Sequence, residues 1–146
     1  MRVRELLGRK GSSLITVEPT AELEAAARLL MDRHIGGLPV LDAAGAAIGF
    51  VSERDVVRAV LDHRGSVGRL RVADVMHAAP ICDADDRLED VMRRMTVERL
   101  RHLVVRDGSR IAGVISVGDI VKHRLEQLET ETGVLRDYVA AQRASR

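Results

Sequence analysis

Apolar residues recur at helical spacing at Leu23, Ala26, Ala27, Leu30 and Met31, and again at Leu88, Val91, Met92 and Met95. Positions three and four apart share one face of a helix, so both stretches predict amphipathic helices, opened by Pro19-Thr20 and by Asp85-Asp86. Two short apolar runs follow each helix, separated by a turn rich in Gly and Asp: residues 38–41 with 47–51, and 103–105 with 111–115. Such pairs predict hairpins. A brief apolar strand precedes each helix, at 14–17 or at Ile81-Cys82, and a short amphipathic helix precedes that, near Val3 or near Val72. A last helix begins at Ser52 and at Ser116. The predicted order is β-α-β-β-α, twice.

The two halves also share residues. Leu23, Glu24, Arg28, Leu38, Val40 and Asp42 return 65 positions later as Leu88, Glu89, Arg93, Leu103, Val105 and Asp107. Past Asp42 the offset is 64, and Gly49, Ser52 and Asp55 match Gly113, Ser116 and Asp119. The slip of one residue falls in the hairpin turns, LDAAGAAIG against VRDGSRIAG, where a length change is harmless. A repeat of this size implies two copies of one supersecondary unit, neither able to close a core alone. The expected division is 1–64 for the first copy, 65–125 for the second and 126–146 for a helical extension, with the Gly-containing stretch 63–68 as linker.

The segments HIGGLPVLDAAGAAIGFVSERDVV and RLRHLVVRDGSRIAGVISVGDIV carry a resemblance to a tandem pair of CBS domains, the Bateman module. The resemblance covers about residues 1–125. It implies an α/β (α+β) fold: two β-α-β-β-α repeats about a pseudo-twofold axis, sheets face to face and helices outside. The adenosine-binding signature of that family stands here as Gly49-Phe50-Val51-Ser52-Glu53-Arg54-Asp55 and as Gly113-Val114-Ile115-Ser116-Val117-Gly118-Asp119. One departure is Val104 where the first copy has Pro39.

The signature has its own chemistry. A carboxylate three residues after a helix-starting serine can accept two hydrogen bonds from the vicinal hydroxyls of a ribose, so Asp55 and Asp119 are candidates. Ser52 and Ser116 sit where free backbone N–H groups and the helix dipole favour a phosphate. Arg54 can add a forked contact to it. Gly49 and Gly113 remove a side chain where backbone and ligand approach. Ser-x-x-Asp is equally the pattern of a capping box, and the two roles are compatible. The resemblance further implies base contacts by position: Ser13, Ile15, Ile35 and Gly36 for the Asp119 cleft, and Ala79, Pro80, Ile81 and Leu100 for the Asp55 cleft. The apolar ones also fit a plain core. Arg101 and His102 precede the second hairpin and can reach a phosphate, or form a solvated pair.

Composition narrows the function. Lys+Arg is 23 and Asp+Glu is 22, a formal net charge of +1, which argues against nucleic acid as the main partner. Phe50 and Tyr138 are the only aromatics, so no base-stacking platform is available. Cys82 is the single cysteine and reads as a small buried hydrophobe. No apolar run approaches the roughly 20 residues that cross a bilayer, and the N-terminus lacks the core of a signal peptide, so the expected compartment is the cytoplasm. His34, His63, His77 and His123 are scattered without metal-ligand spacing and read as surface residues; no metal and no resident cofactor is expected. No nucleophile–base constellation, P-loop or carboxylate pair gives catalysis a home.

The reading is a stand-alone regulatory protein, not an enzyme. It binds AMP, ADP, ATP, NAD(H) or S-adenosylmethionine and acts on an unidentified partner protein; the alternative is a ligand-free scaffold. Beyond the repeat, Val121, Leu125, Leu128, Thr132, Leu135, Val139 and Gln142 fall at spacings of four and three, a seam interrupted by Gly133. The seam can pack on its own module or on a second subunit, and a homodimer is expected.

Overall fold

The computed structural model describes residues 1–11 and 14–145. Its elements are α1 (Val3–Lys10), α2 (Leu23–Asp32), β1 (Gly37–Leu41), β2 (Ala47–Ser52), α3 (Glu53–Asp62), α4 (Val72–Val75), β3 (Ile81–Asp83), α5 (Leu88–Glu98), β4 (His102–Asp107), β5 (Arg110–Ser116) and α6 (Val117–Ala144).

Apolar side chains collect into two cores, and each takes one helix from the other half of the chain. Leu23, Ala26 and Leu30 of α2 pack with Leu38, Val40, Val51 and Ala59, and with Val72 of α4. Leu88, Val91 and Met95 of α5 pack with Leu103, Val105, Ile115 and Ile120, and with Val3 and Leu6 of α1. The first helix thus closes the second unit, and α4 closes the first. Backbone hydrogen bonds repeat the exchange. Val3 N–H donates to Asp86 O at 3.0 Å and Leu88 N–H to Met1 O at 2.9 Å; Leu23 N–H donates to Leu70 O and Val72 N–H to Ala21 O, both at 2.9 Å. Arg4 adds a bridge between Asp85 (3.0 Å) and Asp107 (2.7 Å). That hydrogen bond holds the Asp107 carboxyl below its ordinary range. The division near residue 64 follows the repeat in sequence; the packing units cross it.

The sheets differ for a reason visible in one residue. β3, β4 and β5 form a three-stranded sheet, with β3 parallel to β4 and β4 antiparallel to β5. Val104 N–H donates to Pro80 O at 2.8 Å and starts the parallel pairing. Its counterpart Pro39 has no N–H to give. The strand expected at 14–17 therefore shrinks to a single parallel bridge, Val17 with Val40, beside the antiparallel pair β1–β2. The departure noted at Val104 and Pro39 weakens the sheet of the first unit, while both hairpins form.

Helix α6 runs unbroken through Gly133 for 28 residues, about 42 Å at 1.5 Å per residue. Only Ile120 of it is buried. Leu125, Leu128 and Leu135 remain 55%, 52% and 64% exposed, so the seam does not pack back on its own module.

Candidate functional site

Ser52 caps α3 and Ser116 caps α6, and both form complete capping boxes. Asp55 Oδ2 accepts from Ser52 N–H at 2.7 Å and from its hydroxyl at 2.9 Å. Asp119 Oδ2 accepts from Ser116 N–H at 2.9 Å. Each acid is drawn to the first turn, where free N–H groups and the helix dipole stabilise its charge. Asp55 is 7% exposed and is the one buried charged residue among the described residues. Burying a carboxylate is costly unless it is paired, and His77 Nε2 stands 3.0 Å from its Oδ2. Asp119 has the corresponding partner in Lys10, whose Nζ lies 2.8 Å away.

Each box opens onto a cavity. The one beside Asp55, about 410 Å³, is lined by Ser52, Arg54 and Asp55 of the first copy, by Pro80, Leu100, Arg101 and His102, and by Ser116 and Gly118 at the start of α6. The one on the Asp119 side, about 380 Å³, is lined by Ile15, Ile35, Gly36, Ser116 and Asp119. Both volumes suit one small molecule. Gly36, expected on the Asp119 side, borders both cavities, as do His102 and Ser116. Ala79 and Ile81 line neither cavity. Ile81 is engaged in β3 opposite Val104, Ala79 lies just before that strand, and Ala79 and Ile81 are each half-buried. Ser13 lies outside the described residues.

His102 occupies the divide. Its ring lies 5.4 Å from that of Phe50. Burial, then the charges of Arg101 and Lys10, hold its pKa below the ordinary histidine value, so it is neutral at neutral pH. A Cβ on Gly36 would meet His102 Nε2 at 2.9 Å, so glycine there lets the imidazole stand between the cavities. Gly49 and Gly113 are also required by packing, and Gly113 lines the second cavity. A Cβ on Gly49 would meet Met76 Sδ at 2.7 Å, and one on Gly113 would meet Leu7 Cδ2 at 3.0 Å.

Sequence reasoning missed Lys10, Arg58, His77 and Arg99. His77, read as a surface histidine, faces Asp55, and His34 lines the second cavity. Lys10 ends α1 and His77 follows α4, the exchanged helices, so the repeat register alone cannot bring them to the acids. A signal existed for Arg58: it stands one helical turn after Arg54. Cys82 is buried, and its thiol is pushed up to about 11, chiefly by burial, which keeps it protonated and inert. Among the described residues no group of three His, Cys, Asp or Glu side chains gathers as a metal site, and no helix is long and apolar enough to cross a membrane.

Comparison with known proteins fits this geometry. The family model for the CBS domain matches residues 3–62 and 72–126. The crystal structure of a CBS-domain containing protein from Agrobacterium tumefaciens is 36% identical, with a TM-score of 0.78 over 84% of this chain and 92% of that one. A CBS-domain protein from Pyrobaculum aerophilum, solved in complex with AMP, is 22% identical, with a TM-score of 0.77 over 90% of this chain and 99% of that one. A CBS-domain pair solved with 5′-methylthioadenosine and S-adenosylmethionine is 19% identical, with a TM-score of 0.76 over 87% and 98%. An uncharacterised protein of Methanocaldococcus jannaschii is 30% identical over 123 residues; the match spans 82% of this chain and 41% of that relative.

Proposed function

The chain belongs to the CBS-domain family as a tandem pair, and on that premise we propose that it is a regulatory sensor for an adenosine-containing molecule. The carrying observation is the twice-built pair of capping serine and helix-turn aspartate, each beside a cavity sized for one nucleotide. The carboxylates of Asp55 and Asp119 take the ribose hydroxyls. Pro80 and Leu100 on one side, and Ile15 and Ile35 on the other, offer apolar surface to the base. Two relatives in the same fold carry AMP, or 5′-methylthioadenosine and S-adenosylmethionine, which supports an adenosine ligand in general. The protein acts through a regulated partner. It works in the cytoplasm.

The proposed assembly is a homodimer. Val57 and Leu61 of α3 are exposed, and so are their repeat counterparts Val121 and Leu125 of α6. Each unit thus presents the same apolar pair on the same helix, and α6 prolongs the stripe through Leu128, Leu135 and Val139. A second copy of the chain covers such a self-repeating face.

One observation favours the ligand-free scaffold. Both carboxylates already hold intramolecular partners, His77 and Lys10, as a module without ligand requires. Thermal-shift measurement of the full chain against adenosine, AMP, ADP, ATP, NAD(H) and S-adenosylmethionine separates the readings. A ligand that binds only the folded state raises the melting temperature with concentration. A rise with at least one compound supports the sensor; no rise with any supports the scaffold.

A further inference from the structure

The two cavities come from one repeated unit, so the molecule contains its own control: positions equivalent in the repeat can be compared between them. The Asp55 cavity is bordered by Arg54, Arg58, Arg99 and Arg101, against Glu53 and Asp55 as its acids. Four guanidiniums against two carboxylates leave two positive charges in excess. Among the described residues none of these four side chains has a hydrogen-bond or ion-pair partner within the chain, so their charge is left to the cavity they border. Lys10 and Asp119 are the charged residues of the other cavity, and they neutralise each other at 2.8 Å.

The repeat register sharpens the contrast. Arg54 corresponds to Gly118, Arg99 to His34 and Arg101 to Gly36. Three guanidiniums are thus matched by two glycines and a histidine, and the counterpart of Arg58, Lys122, does not line the Asp119 cavity. Arg99 sits at φ 55°, and its counterpart His34 at φ 54°, a left-handed conformation that side chains other than glycine rarely take. The fold holds this position at the rim in both copies and puts arginine there in only one. Arg54 and Arg58 are one turn apart on α3, where like charges repel. The N-termini of α3 and α6 both open into the same cavity through Ser52 and Ser116, so two helix dipoles add to the positive field. Four unpaired guanidiniums, two helix starts and a neutral His102 make a cradle for several anionic oxygens together. Planar guanidinium forks suit phosphate oxygens pairwise.

We infer that the clefts are chemically unequal: the Asp55 cleft takes an adenosine di- or triphosphate, and the Asp119 cleft takes an adenosine compound without a phosphate chain. This rests on the adenosine reading above and names the ligand class of each of its sites. The ribose is held at Asp55, and the phosphate chain runs across the arginines toward Ser116 and Gly118. At Asp119 the paired Lys10 leaves no excess charge to hold a chain.

Calorimetric titration of the full chain with adenosine, ADP, ATP and inorganic tripolyphosphate tests this, with Asp55→Asn and Asp119→Asn used to assign the sites. Asparagine keeps an acceptor for the serine N–H, so the cap survives. ATP is expected to bind the Asp55 site more tightly than adenosine by about tenfold or more, the scale of one added charge-assisted contact. Tripolyphosphate competes with ATP there. The variant Arg99→Gln/Arg101→Gln, altered at exposed side chains, loses that advantage while its adenosine affinity stays within about twofold, and raising salt erases the same increment. Adenosine bound as tightly as ATP at the Asp55 site overturns the inference and leaves the sensor standing. So does an ATP preference that survives Asp55→Asn and vanishes with Asp119→Asn. If no adenosine compound binds at all, the sensor reading falls and the inference with it.

Discussion

The ε-ammonium of Lys10 lies 2.8 Å from Asp119 Oδ2 and also donates to Val114 O at 2.8 Å. The backbone of the first unit has the matching bond: Phe50 O, at the position corresponding to Val114, accepts from His77 N–H at 3.0 Å. One lysine side chain therefore does in the second unit what the main chain and imidazole of His77 do in the first. In each case the C-terminal end of an exchanged helix, or the segment just past it, delivers a nitrogen to the acid.

Replacing Lys10 with methionine has two effects of opposite sign. Partly exposed ion pairs contribute about 0.2–1 kcal/mol, so the melting temperature falls by roughly 1–4 °C. The Asp119 carboxylate loses its competitor, and hydroxyl donors bind it up to about fivefold more tightly. Thermal melts and calorimetry with adenosine read both. A fall in stability and affinity together would show that Lys10 supports the site instead of guarding it.

Leu6→Ala tests the helix exchange. Leu6 is buried in the core of the second unit, and truncating a buried leucine costs about 2–5 kcal/mol. Hydrogen exchange should quicken first in β4 and β5, far along the chain, and later in β1 and β2. Early loss of protection in β1 and β2 would contradict the packing.

His102 sets a pH dependence. Its folded pKa lies below the unfolded value, chiefly through burial, so below about pH 6.5 the unfolded chain takes the proton more readily. Stability is full above that pH and declines as pH falls toward the folded pKa, then levels. Denaturant midpoints of wild type and His102→Gln between pH 7.5 and 5, measured where carboxylates stay ionised, give the test. The slope should flatten in the variant; an identical slope would remove His102 from the account.

Truncation after residue 124 keeps Ile120, the buried residue of α6, and removes the exposed stripe from Leu125 onward. The melting temperature of the isolated module should change little, while light scattering over a dilution series should show a weaker dimer. A full-length chain that stays monomeric at every concentration would defeat the dimer.

Much of this was legible in sequence because the repeat is local. Leu23 and Leu88, or Ser52 and Ser116, can be aligned by counting, and hairpin turns and caps are set by neighbours. The exchange of α1 and α4 was not legible, since no residue pattern near Val3 says which of two similar cores it enters. For the same reason Lys10 and His77 were invisible as partners of the acids. The strand expected at 14–17 was not foreseen to shrink, although the cause, the missing N–H of Pro39, stands in the sequence. The continuity of α6 through Gly133 reflects one unfavourable residue outweighed by a long run of helix formers.

The most direct test of the account is calorimetry with ATP and adenosine on the double variant Asp55→Asn/Asp119→Asn, with circular dichroism confirming the fold. A hydrogen bond to a charged group contributes about 1.5–3 kcal/mol, so affinity at each occupied cleft should fall roughly ten- to a hundredfold. Unchanged affinity in a folded double variant would contradict the ribose-binding role of both acids.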